Sequence, residues 1–82
     1  MPKVTQLSKL MRSRRSDLGV TQQDLATKLK VHVQFVSNIE RGICSIPPKR
    51  IRALARALKV EPKQIVEVIL NDYRYQLERG IK

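Results

Sequence analysis

The chain has 82 residues, enough for one small domain with a single modest core. Its 17 Lys and Arg against 7 Asp and Glu give a formal charge of +10, an excess that implies a polyanionic partner. A lone cysteine excludes an internal disulfide, no apolar run approaches the ~20 residues that span a bilayer, and MPKVTQLSKL lacks a signal-peptide core, so a cytoplasmic protein is expected.

The charge is unevenly spread. Between Met1 and Val60 there are 13 basic residues against Asp17, Asp24 and Glu40, whereas Glu61 to Lys82 holds four of each sign. The excess therefore belongs to the first three quarters of the chain, and the tail is neutral.

The first helix is expected over residues 5 to 18, where Leu7, Leu10, Met11 and Leu18 recur at helical spacing and Lys9, Arg12 and Arg14 face outward. Gly19 supplies a left-handed end to it, and Val20 turns back into the core. The run TQQDLATKLKVHVQFVSNIERG follows, from Thr21 to Gly42. Leu25 and Leu29 share one helical face, Val36 and Ile39 share another, and Val31 is out of phase with both. One continuous helix would scatter these side chains; two short helices joined at Lys30 to His32 bring them together. Ala26 marks the close crossing of the two axes. Thr21 is the expected N-cap of the first of them, with Asp24 one methylene short of the Glu that completes a capping box, so a simple cap is predicted. The pattern is that of a helix-turn-helix.

Past Gly42, Pro47 and Pro48 close a loop and suit the first turn of a fourth helix over residues 48 to 59. Ile51, Leu54, Ala55 and Leu58 form its inner face, and Lys49, Arg50, Arg52 and Arg56 lie on its other surfaces. Val60 enters the core and Pro62 opens a final helix. There Ile65, Val66, Val68, Ile69 and Leu70 are too many apolar residues for one narrow stripe, and Tyr73 and Leu77 extend the pattern. The surplus, around Val66, Ile69, Leu70 and Tyr73, is the expected homodimer interface. The division anticipated is a helix-turn-helix domain over 1–70 and a C-terminal extension over 71–82 for dimer or partner contact.

Arg15, Gly19, Val20, Thr21, Gln22, Leu25 and Ala26, then Val36, Ile39, Glu40, Arg41 and Gly42, resemble in register the Cro and phage-repressor family of helix-turn-helix proteins, also called the xenobiotic-response-element family. The resemblance extends to about Leu70. Two positions depart from the family pattern: Lys30 stands where Gly is usual in the turn, and His32 where Ser or Thr usually caps the next helix. The resemblance implies an all-α, five-helix, lambda-repressor-like domain with its helix-turn-helix in helices two and three. It also implies a sequence-specific, double-stranded-DNA-binding transcriptional regulator acting as a dimeric repressor on a pseudo-palindromic operator. A bridge between Arg15 and Glu40 is part of the same pattern.

In such proteins the second helix of the motif, here about 33–41, lies in the major groove. With Val36 and Ile39 inward, the outer face presents Val33, Gln34, Ser37, Asn38 and Arg41. Gln34 and Asn38 each match the donor and acceptor of adenine, and Val33 suits a thymine methyl. Val33, Gln34, Ser37 and Asn38 are thus the expected base readers. Gln22 and Gln23, Arg41, the loop backbone at Ile43 to Ser45, and Lys49 with Arg50 are the expected phosphate contacts. Phe35 either caps the core edge or leans on the sugar-phosphate backbone.

With one His, one Cys and no clustered carboxylates, the chain offers no catalytic arrangement, metal site or cofactor pocket, and neither enzyme activity nor a cofactor is expected. His32 has no neighbouring ligand to share a metal, and a lone Cys44 is most simply inert. Two alternatives remain open. One is an antitoxin-type module that also binds its operator and holds a toxin with the neutral tail from Tyr73 to Lys82; the other is a restriction–modification controller. In either case the protein would sit on the nucleoid when bound to DNA.

Overall fold

A computed structural model describes residues 5–81 as five helices joined by short turns. They are α1 (Gln6–Leu18), α2 (Gln22–Leu29), α3 (Val33–Glu40), α4 (Ile51–Leu58) and α5 (Pro62–Ile81), with a 3-10 turn at Pro48–Arg50 leading into α4.

Capping chemistry sets where the first two begin. The Thr5 hydroxyl accepts from Ser8 N at 3.0 Å while Ser8 Oγ accepts from Thr5 N at 2.9 Å. Thr21 and Asp24 do the same for α2: Asp24 N donates to Thr21 Oγ1 at 3.0 Å and Thr21 N to Asp24 Oδ2 at 3.1 Å. This is a full reciprocal box where a simple cap was expected. The shorter Asp side chain still spans the gap because the N-cap backbone is extended, at φ −82°, and folds its N–H back toward the first turn. The Thr21 backbone N–H, and after it the Thr21 hydroxyl, hold the Asp24 carboxyl below its ordinary pKa by hydrogen bonding to its charged form.

Four helices end alike. At each, the residue after the left-handed position sends its N–H back five residues: Val20 to Arg15 O, Val31 to Ala26 O, Ile43 to Asn38 O and Val60 to Ala55 O, all at 2.9 to 3.0 Å. The left-handed residues are Gly19, Lys30, Gly42 and Lys59, with φ between 56° and 76°. This motif closes the helix and folds the following apolar side chain back over it. Val20, Val31 and Val60 pack against the core in that way. Ile43 does not and stays 52% exposed.

The core gathers Leu7 and Met11 of α1, Leu25, Ala26 and Leu29 of α2, Val36 and Ile39 of α3, Leu54, Ala55 and Leu58 of α4, and Ile65 of α5. Each large side chain among them contributes on the order of 1.5–3 kcal/mol by leaving water. Ile46, from the loop before the prolines, is buried as well and joins the core, which sequence reading did not anticipate. Arg14, expected to face outward, lies half-buried and donates from Nε to Leu58 O at 3.1 Å, closing the open carbonyl end of α4. Phe35 packs against the edge of the core.

α3 is braced by α2 and α1, while α5 lies across α1 and α4. The helix of the motif that carries the amides and the C-terminal helix thus share α1 as a support, with α2 completing the first contact and α4 the second. α5 runs without interruption through the anticipated boundary at residue 70, and the Asp72 carboxylate beyond it accepts from Gln6 N at 2.8 Å and Leu7 N at 3.0 Å, capping α1. From Tyr73 onward the helix is exposed on every side.

Candidate nucleic-acid interface

The orientation of α3 follows from its two inward residues. Val36 and Ile39 are fully buried, which turns Val33 and Gln34 outward and leaves Ser37 and Asn38 half-exposed beside them. Gln34 and Asn38, one turn apart, are joined by a hydrogen bond from Gln34 Nε2 to Asn38 Oδ1 at 2.9 Å. Each amide steadies the other, leaving Gln34 Oε1 as an outward acceptor and Asn38 Nδ2 as an outward donor. His32, the N-cap residue, makes no side-chain bond to the helix, so the first-turn N–H groups of α3 lack that partner.

Behind this face lies a charged anchor. Glu40 is 2% exposed, and Arg15 meets it with two parallel bonds, Nε to Oε2 at 2.6 Å and Nη2 to Oε1 at 2.9 Å. Arg15 also donates from Nη1 to Val20 O at 2.9 Å, so one guanidinium joins α1, the following turn and the end of α3. The bond to Glu40 raises the Arg15 pKa further above its already high value. Gln22 adds a third donor, Nε2 to Glu40 Oε1 at 3.1 Å, and Arg12 Nε lies 4.0 Å from the same oxygen. No buried side-chain polar atom among the described residues lacks a partner.

The phosphate-contact residues anticipated from sequence are therefore not alike. Arg41 and Lys49 are exposed with no bonded partner fixing them among the described groups. Gln22 turns one N–H inward to Glu40, and Gln23 leans back to Thr27 Oγ1 at 3.4 Å. Arg50 donates from Nη1 to Leu29 O at 2.9 Å, closing the C-terminal end of α2, and offers the rest of its guanidinium outward. One residue at this edge escaped sequence reasoning: Arg12 stands three residues before Arg15 on the same side of α1, a spacing that was readable. Ile43, which opens the loop whose backbone was expected to meet phosphate, is exposed just beyond α3. Cys44 is half-buried, and burial pushes its thiol pKa up, away from the reactive thiolate.

Two short helices at a fixed crossing, the second with its polar side open and its apolar side locked by a buried ion pair, define a helix-turn-helix DNA-binding protein. The chain belongs to the helix-turn-helix family, whose model matches residues 10–65, and it is a DNA-binding transcriptional regulator of the Cro and repressor type. It is 30% identical over 59 residues to the control protein C.BamHI of Bacillus amyloliquefaciens, covering 72% of this chain and 73% of that one. Among solved structures it is similar to the restriction-modification controller protein C.AhdI of Aeromonas hydrophila, with a TM-score of 0.68 and 27% identity over 76% of this chain and 94% of that chain. It is also similar to the clp gene regulator ClgR of Corynebacterium glutamicum, with a TM-score of 0.67 and 25% identity over 92% of this chain and 85% of that one.

Proposed function

We propose that the protein is a cytoplasmic, non-enzymatic regulator that binds a pseudo-palindromic duplex operator as a homodimer, with residues 33–41 in the major groove. The observation that carries this reading is the outward amide pair of Gln34 and Asn38, held together at 2.9 Å on the free side of α3. A pre-paired acceptor, Gln34 Oε1, and donor, Asn38 Nδ2, one helical turn apart suit the N6 amino group and the N7 of adenines on neighbouring base pairs, respectively. Val33, 38% exposed, lies beside them and suits a thymine methyl, and Ser37 reaches a base or a phosphate. Arg41 and Lys49 flank the face and serve as phosphate clamps, with Arg50, Gln22 and Gln23 as partial contributors. The neutral part of the chain, on α5, carries the partner contact through the exposed Val66, Leu70 and Tyr73; Ile69, expected in the same interface, packs against the core instead, because it shares the inward face of α5 with Ile65 and Val68.

A second reading, that the protein controls a restriction–modification operon, is supported by its likeness to the restriction-modification controller protein C.AhdI and to the control protein C.BamHI. Binding sites recovered in front of such genes would favour it.

The test is selection of bound duplexes from a random pool, followed by affinities for single-base variants of the selected site. Gln34→Ala is expected to remove ~1–3 kcal/mol of discrimination at one or two base pairs, whereas Lys49→Ala weakens every variant about equally. Unchanged discrimination by Gln34→Ala at all positions would overturn the assignment.

A further inference from the structure

α5 carries two separate apolar faces. Ile65, Val68 and Ile69, with the capping Asp72, face the body of the protein. Val66, Leu70, Tyr73 and Leu77 form a second stripe, displaced about 110° around the helix. All four are exposed, Leu70 and Tyr73 at 59% and Leu77 at 53%. Their spacing of four, three and four is that of a coiled-coil seam. Lys63 precedes the stripe by one seam position and Gly80 follows it by one, so it has defined ends. The whole stripe lies outside the 10–65 segment matched to the family, and none of its four residues belongs to the core.

We infer that this stripe pairs with the same stripe of a second copy in antiparallel register, Val66 against the partner's Leu77 and Leu70 against the partner's Tyr73. The inference rests on the homodimer proposed above and gives it an orientation and a register. Charge selects the occupant. Residues 1–60 carry the whole excess of +10, and 61–82 are neutral, so two copies approach with least repulsion along α5. Charge also selects the direction. A parallel pair would bring both basic bodies to one end and set Lys63 against its own copy. The antiparallel pair separates the bodies and places each Lys63 beside the partner's Gly80, where there is open space. In that register Glu67 and Arg74, both exposed along one flank of the seam, face each other twice across the two-fold axis. Arg74 already lies on that flank, 3.4 Å from Glu78 of its own helix.

The experiment is sedimentation equilibrium of the full chain and three variants, with the DNA affinity of each measured alongside. Leu77→Glu lies outside the packed body and keeps the helical content; it is expected to raise the dimer dissociation constant about tenfold or more. Glu67→Arg and Arg74→Glu each put like charges across the axis and weaken self-association about tenfold, but an equal mixture of the two restores pairing as a heterodimer. Self-association unchanged in Leu77→Glu, or no recovery in the mixture, would overturn the register while leaving the DNA-binding dimer standing. A wild-type chain that stays monomeric yet binds its operator would remove the dimer and leave the reading of α3 untouched. A wild-type dimer with no affinity for any duplex would do the opposite.

Discussion

Glu40 shows how one buried charge organises a surface that it never reaches. It is the one acidic residue sealed inside among the described residues, and three donors converge on it from α1 and α2. Burying a carboxylate is tolerable only because both of its oxygens are hydrogen-bonded and its charge is paired with Arg15. The consequence is positional: the C-terminal end of α3 is tied to α1, so the amides of Gln34 and Asn38 keep a fixed attitude. Removing the negative charge while keeping the shape leaves Arg15, itself largely buried, without its counter-ion. Glu40→Gln is therefore expected to destabilise the fold by about 3 kcal/mol, read as a lower urea midpoint at unchanged slope. A midpoint equal to that of the wild type would show that the pair adds nothing to stability.

At the scale of elements, the turn between α2 and α3 is set by backbone geometry rather than by side-chain contacts. Lys30 holds φ 58° and ψ 45°, a conformation that glycine adopts freely and other residues only with strain. The two bonds that close α2, Lys30 N to Thr27 O at 3.2 Å and Val31 N to Ala26 O at 3.0 Å, hold it there and bury part of Val31. Lys59 repeats the arrangement between α4 and α5. Lys30→Gly should accordingly stabilise the protein by about 1 kcal/mol without altering the crossing of α2 and α3. Chemical denaturation reads the stability, and unchanged operator specificity reads the crossing. A loss of stability would mean that Lys30 makes contacts outweighing its strain.

The whole molecule separates two tasks along its length. α1 to α4 carry the positive charge and the outward face of α3, while α5, packed on α1 and α4, carries the neutral apolar stripe. With a radius of gyration of 12.5 Å and a long axis of 40 Å, the body is small and the helix extends beyond it. No helix among the described residues is long and apolar enough to cross a membrane. If a dimer engages about six phosphates, the logarithm of its operator affinity should fall against the logarithm of salt with a slope near −5, and Lys49→Ala should lower that slope by about two for the pair of subunits. Titrations at several salt concentrations measure it; a slope near zero would exclude a phosphate-dominated interface.

The helix-turn-helix was legible in the chain because its determinants are local. Apolar spacing at Leu25, Leu29, Val36 and Ile39 sets which sides turn inward, and capping by Thr21 depends on a residue three positions away. The outward side chains of α3 follow directly, since on a short helix the outward face is whatever the inward pair leaves. Long-range hydrogen bonds were a different matter. That Gln22 and Arg50 would turn inward to Glu40 and Leu29 O, that Arg14 would cap α4, and that Asp72 would reach across to the start of α1 depended on which helix ends meet in space. Unpaired carbonyl and N–H groups at a helix end accept any donor or acceptor that packing brings within about 3 Å, and spacing along the chain does not encode that encounter.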